Sequence, residues 1–435
     1  MKTSFVLLLY LFLCAFDASA EEPGWTQWRG PSGTGAATND ATPPVTWSET
    51  ENIRWKTKLP GLGHSSPIIA GDLVVVTTAI PEGKKQAPKY SGAPGAHDNL
   101  PVEQAHSFVT IAVNRVDGKI AWSTKLNNSM PHEGAHNSAS LASASPATNG
   151  KHIYVSFGSH GLGCLDLTGK IVWQKSLGRM NTKHGHGEGA TPALFDDRLV
   201  VNWDHEGQSF IAALDTKNGE PIWRKDRDEV TSWASPLVVT VADKQQVIVC
   251  GTERIRAYDL TTGKVVWQCG GLSANVVATP VAGNGVVYVG SSYEIRSLMA
   301  IKLAGAKGDI TGSDQVLWQR RIRTPYVPSP LLYENRLYFL GHYQNVLSRV
   351  EGPTGEEPVG PFRLGPLGNI YASPVAANGR VYITDLEGVT QVLSSGEIPR
   401  PIAVNRLDDS FSASAAIVDD EIFLRGREFL YCIGE

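Results

Sequence analysis

Eight times along the chain a Ser/Thr-Pro dipeptide, once replaced by Ser-Ala, opens a short apolar run. The openers are Ser66-Pro67, Ser145-Pro146, Thr191-Pro192, Ser235-Pro236, Thr279-Pro280, Ser329-Pro330, Ser373-Pro374 and Ser414-Ala415. After a long first gap they recur about every 41 to 50 residues. A period of that length marks a stacked supersecondary unit, and the unit reads as a four-stranded propeller blade. Length alone, 435 residues, suggests two or three domains. The repeat overrides it, because blades arranged in a ring make one body.

Residues 234–269 show the unit most clearly. The run from Ala234 to Val239 is a first strand, and its Pro236 sits at the strand start, where no ladder donor is lost. Gln246 to Cys250, Ile255 to Leu260 and Val265 to Gln268 supply three more strands. The third turn is Asp259-Leu260-Thr261-Thr262-Gly263-Lys264, where Asp initiates and Gly accepts positive φ. Trp267 follows, as Trp122, Trp173 and Trp223 follow equivalent turns. A Trp at that position is expected to dock between neighbouring blades and bury a large apolar area. The sixth and seventh units lack it, with Phe362 as a substitute in the sixth.

The last unit, Ser412 to Glu435, supplies three strands, while Asn52 to Leu59 is a strand with no unit of its own. Joining the two gives an all-β, eight-bladed ring over 52–435 with no free edge. Before it, 21–51 is rich in Gly, Thr and Pro and is expected to lie along one face as an extended arm, pinned by Trp25, Trp28 and Trp47. Residues 1–20 read as a signal peptide: Lys2, an apolar stretch from Phe5 to Phe16, then Ala18-Ser19-Ala20. The apolar stretch is too short for a transmembrane anchor. The expected location is the periplasm or beyond, and the expected state a monomer. A net charge of −4 argues against nucleic acid as a partner.

The segment Tyr258-Asp259-Leu260-Thr261-Thr262-Gly263-Lys264-Val265-Val266-Trp267 resembles the tryptophan-docking repeat of quinoprotein-like propellers. That family includes dehydrogenases dependent on pyrroloquinoline quinone and the outer-membrane assembly scaffold lipoprotein. The opening Trp25-Thr26-Gln27-Trp28-Arg29-Gly30-Pro31 and the closing Leu430-Tyr431-Cys432-Ile433 also resemble secreted repeat proteins of planctomycete type. The resemblance implies the eight-bladed quinoprotein-like fold. It does not extend to the cofactor: the dehydrogenases carry two adjacent Cys, and this chain has none. Cys164, Cys250, Cys269 and Cys432 are scattered; Cys164 and Cys432 read as buried core thiols, with pairing otherwise open.

Strand alternation sorts the 11 His onto the two rims unevenly. His64, His132, His136, His184 and His186 fall on blade-to-blade loops, and His97, His106, His160, His205 and His342 on second-to-third loops of the same face. Only His152 falls on the other face. Imidazole with carboxylate at short spacing suits a borderline divalent ion, so His64, His136, His184, His186 and Glu188 form a candidate Zn²⁺ or Cu²⁺ site. The competing reading is that these His are exposed or tie loops together without metal, since no fixed spacing such as HExxH is present. Further candidates for a ligand rim are His132, Trp203, His205, Trp233 and Arg323, with blade packing the alternative for both Trp and a solvated charge run for the Arg. Residues 81–106, rich in Pro and Gly, are an insertion expected to cover part of the same face, with a disordered loop as the alternative. Two function classes follow. One is a binding scaffold presenting a rim and funnel to a protein, peptide or glycan. The other is a metal- or quinone-dependent enzyme sited in the His/Glu-rich funnel of blades one to three.

Overall fold

A computed structural model describes residues 24–341 and 345–435. The signal-peptide segment and His342 lie outside the described residues. Eight sheets, antiparallel but for one added strand in the fourth, stand around one axis, each with its first strand innermost. Blades 1 to 7 occupy 68–129, 147–175, 193–227, 237–269, 281–320, 331–363 and 375–406. Blade 8 combines Ala416–Val418, Glu421–Arg425 and Phe429–Ile433 with Ile53–Lys58, which pairs with Phe429–Ile433 from Ile53↔Ile433 to Lys58↔Phe429. The amino-terminal strand therefore closes the last blade, as the unpaired strand in the sequence required. Arg54 reinforces the join, bonding Glu421 at 2.7 Å and Asp420 at 2.6 Å.

Tryptophan docking explains how one blade grips the next. Trp55, Trp122, Trp173, Trp223 and Trp318 each donate an indole N–H to a carbonyl in the following blade's turn: Arg115, Leu167, Thr216, Leu260 and Gly352, at 2.7–2.9 Å. The turn glycines Gly118, Gly169, Gly219, Gly263 and Gly355 all have positive φ, and a Cβ there would meet the docked indole at 2.6–2.7 Å. Glycine is thus required twice, by conformation and by contact. Across the strand pair each of these Trp faces a small residue: Cys432, Ala112, Cys164, Ala213 and Ala300 respectively. Cys164 and Cys432 act there as compact apolar side chains, and all four described Cys are free and buried.

Three blades depart from this pattern. In blade 4 Trp267 turns its N–H to Gln246 of its own blade, and Gly308–Asp309 adds a fifth, parallel strand beside it. Blade 6 ends in the short Phe362–Arg363, with Phe362 packed against the apolar cluster shared with blade 7. In blade 7 the register position of the Trp is Ala403. The gap is filled from outside: Trp47, 3% exposed, joins the cluster against which Ala403 packs and stacks on Tyr382 with centroids 6.3 Å apart. The Asn405 carboxamide holds it in place, accepting from the Trp47 backbone N–H at 2.9 Å and donating to the Val45 carbonyl at 2.9 Å.

Candidate functional site

The repeated Ser/Thr has a structural task beyond starting a strand. The backbone N–H of each opener donates to the hydroxyl of the next: Ser66 to Ser145, Ser145 to Thr191, Thr191 to Ser235, Ser235 to Thr279, Thr279 to Ser329, Ser329 to Ser373, Ser373 to Ser414 and Ser414 back to Ser66. The distances run from 2.8 to 3.0 Å. All eight openers are buried, so each bond satisfies a donor that water cannot reach. The ring of hydroxyls forms the neck of an axial funnel.

Below the neck the arm crosses the axis instead of lying along a face. Trp25 and Thr26 accept from the backbone N–H of Ile69 and Thr148 in blades 1 and 2. Thr34 accepts from Leu332 in blade 6, and Gly35 and Ala37 pair with Ala376 in blade 7. Arg29, 2% exposed, donates to the carbonyls of Thr34 and Pro330, and burial pulls its pKa down to about 9. The arm therefore closes one end of the channel, with Trp28 facing the funnel. What remains is a blind cup of about 410 Å³, walled by Trp233, Tyr293, Tyr326 and Tyr371 as well as the hydroxyl ring.

On one side of its mouth four imidazoles pack together. His186 lies 4.8 Å from His97, 4.8 Å from His136 and 5.3 Å from His184 between ring centroids, and His97 lies 5.0 Å from His184. His136, His184 and His186 were legible in the sequence as one group; His97 comes from the insertion. The insertion is anchored here. Asn99 Nδ2 donates to the His184 carbonyl at 2.7 Å, Leu100 N–H to Ala135 and Asn137 N–H to Asp98. The strands flanking it run further than expected, with Glu82 paired to Ala105, so His106 stands in a strand and the loop spans only 83–104. His64 lines the same cup, and burial, helped by Arg425 and Arg427, holds its pKa down to about 4.

Glu188 lines the cup too, but its carboxylate is tied to Ser159 and not to that cluster. It faces a second, smaller cavity between blades 2 and 3, of about 40 Å³, together with His132 and Glu133. These are the one trio of His, Cys, Asp or Glu among the described residues whose ligand atoms all lie within 4.8 Å of one another. Glu188 accepts from the Ser159 N–H at 2.6 Å and from the Ser159 hydroxyl. Gly158 makes room for it, since a Cβ there would fall 1.6 Å from Glu188 Oε2. Glu133 accepts from the Thr182 hydroxyl at 2.6 Å. Burial, with the neighbouring Glu133 adding to it, pushes Glu188 up to about 7; burial also raises Glu133.

The remaining rim candidates are committed to the protein itself. Trp203 is 4% exposed and stacks on Phe210. Both His205 ring nitrogens bond backbone: Nδ1 accepts from Asn181 and Gly207, and Nε2 donates to the Gln208 carbonyl. Arg323 pairs with Glu357 at 2.5 Å, and Arg320 shares the same carboxylate. Trp233 does line the cup, its N–H given to the Gly187 carbonyl at 2.7 Å. Sequence reasoning missed one pair entirely. Asp204 and Arg227 form a fully buried two-point ion pair at 2.7 and 3.0 Å, with Arg227 also on the Tyr258 hydroxyl.

Eight docked blades around a cup define a β-propeller of the quinoprotein-repeat class. A family model described as outer membrane protein assembly factor BamB matches residues 30–184, 105–326 and 158–399, overlapping as a repeat should, and the chain belongs to that family. A tetrathionate hydrolase from Acidithiobacillus ferrooxidans is 24% identical over 302 residues, covering 63% of this chain. The match covers 53% of that protein, so the chain spans about half the length of this curated relative. Among solved structures, quinohemoprotein alcohol dehydrogenase from Comamonas testosteroni superposes with TM-score 0.60 at 10% identity, over 95% of this chain and 81% of that one. The computationally designed Ika8 protein gives 0.55 at 11%, over 87% and 100%. At such identities the likeness concerns fold alone. Among the described residues no helix is long and apolar enough to cross a membrane.

Proposed function

We propose that this protein is a non-enzymatic binding propeller, working in the periplasm or outside the cell, that receives the end of a glycan or peptide in its cup. The observation that carries the reading is the blind geometry. The arm closes the far end under Trp28, so the cup suits a terminus better than a through-running chain. Trp28, Trp233 and the tyrosines offer flat apolar faces, and the hydroxyl ring offers polar partners, a combination that fits sugars. A quinone held under adjacent cysteines does not fit this cup. The four described Cys are buried in blade strands, and none lines it.

The test is calorimetric titration of the purified protein with oligosaccharide and short-peptide panels. Binding that W233A and W28A each abolish, with melting behaviour retained, supports the cup. Ligands that bind equally well to both variants place recognition elsewhere and end the reading. A second reading, a hydrolytic enzyme, draws on the similarity to a tetrathionate hydrolase. Turnover of tetrathionate by the purified protein would favour it over the binding role.

A further inference from the structure

We propose that His132, Glu133 and Glu188 form a site for one first-row divalent cation, Mn²⁺ or Zn²⁺, in the cavity between blades 2 and 3. The site lies in the smaller cavity, and of its three ligands only Glu188 also lines the cup. Three observations converge on it.

The first is the donor set. One imidazole and two carboxylates bring ligand atoms within 4.8 Å of one another, a spacing that a single ion can bridge. One nitrogen with oxygens suits Mn²⁺ or Zn²⁺ better than a soft cuprous ion or a hard Ca²⁺. The cavity, at about 40 Å³, has room for an ion with a bound water or two.

The second is how the donors are oriented. His132 Nε2 donates to the Met180 carbonyl at 2.6 Å, which leaves Nδ1 with its lone pair in the neutral ring. A ligand His held through its other nitrogen by a backbone carbonyl is the usual outer-shell arrangement at metal sites. Glu188 is held by Ser159 and Glu133 by Thr182, and every one of these contacts donates to the carboxylate. Each oxygen keeps acceptor capacity for a cation.

The third observation is an unmet acceptor in the same wall. Asn202, 5% exposed, lines the cavity. Its Nδ2 is spent on Asp204 and Ser232, and its Oδ1 has no hydrogen-bond partner. Two crowded carboxylates and an unpaired carbonyl oxygen make the cavity wall electron-rich. A bound cation would offset all of these at once.

Chelator-stripped protein titrated with MnCl₂ and with ZnCl₂ tests the site. The expected result is about one equivalent bound, with a rise in melting temperature. E188Q and H132Q should weaken binding by about 100-fold, and S159A by about 10-fold, while H136A and H186A leave it unchanged. Electron spin-echo modulation of the Mn²⁺ complex of the unaltered protein should show a single coupled imidazole nitrogen, which needs no variant to fold. Absence of binding at about 1 mM metal overturns the proposal. So does binding lost in H136A or H186A but kept in E188Q, or a spectrum without imidazole coupling.

Discussion

The Ser414 backbone N–H donates to Ser66 Oγ at 2.9 Å, joining two residues 348 positions apart and completing the ring of eight hydroxyls. Each member of that ring serves a neighbour's donor, so the loss of one hydroxyl strands an N–H on the adjacent blade. Ser66→Ala should therefore cost about 1–3 kcal/mol, the usual penalty for a buried donor left without a partner. Ser66→Thr, which keeps the acceptor, should cost much less. Urea unfolding of the two variants side by side checks this.

Trp122 and Gly169 form a matched pair across blades 1 and 2. Trp122→Ala should lose about 3–5 kcal/mol through the cavity it leaves. Gly169→Ala should also destabilise, because its φ is +85° and the new methyl would meet the indole at 2.6 Å. In the double variant the steric part disappears, so the two costs should be less than additive, and a double-mutant cycle in thermal melts reads that out.

Asp204 and Arg227 are fully buried, and removing one partner leaves the other charge uncompensated. Arg227→Met should cost about 3–5 kcal/mol. Replacing both, with Asp204→Asn added, should recover part of the loss. Equal instability in the single and double variants would show that the pair's charges are not coupled.

His64 links stability to acidity. Its folded pKa is held down to about 4, below the ordinary 6.5, because burial beside Arg425 and Arg427 disfavours the imidazolium. A base with a depressed folded pKa contributes its full stability above the unfolded value. That contribution is lost as pH falls from about 6.5 towards 4, since the unfolded chain takes up the proton first. Between those limits the protein should lose about 2–3 kcal/mol through this residue. His64→Gln should flatten that segment of the stability–pH curve, measured by chemical denaturation across the range.

The architecture was legible because its signals are periodic. Openers, turn glycines and tryptophans recur at one spacing, and the orphan strand at Asn52 to Leu59 matched the missing strand of the last unit. The path of the arm was not, because nothing in 21–51 repeats and its contacts are to strands hundreds of residues away. The structure gathers His136, His184 and His186 with His97, yet grouping Glu188 with His186 relied on their being two residues apart. In an extended strand that spacing shares a face. Here His186 has φ −76° and ψ −2°, Gly187 has φ +83°, and the chain turns so that the carboxylate enters the next cavity. The Asp204–Arg227 pair was hidden for a related reason: a loop residue and a strand end meet only once blade 3 has folded.

The crossing of the arm beneath Trp28 also fixes a traffic rule. A propeller with an open bore could admit a molecule at one face and release it at the other. With the bore stoppered, arrival and departure share a single doorway, and the insertion with His97 stands at that doorway. Changes to 83–104 should therefore alter entry and exit rates together.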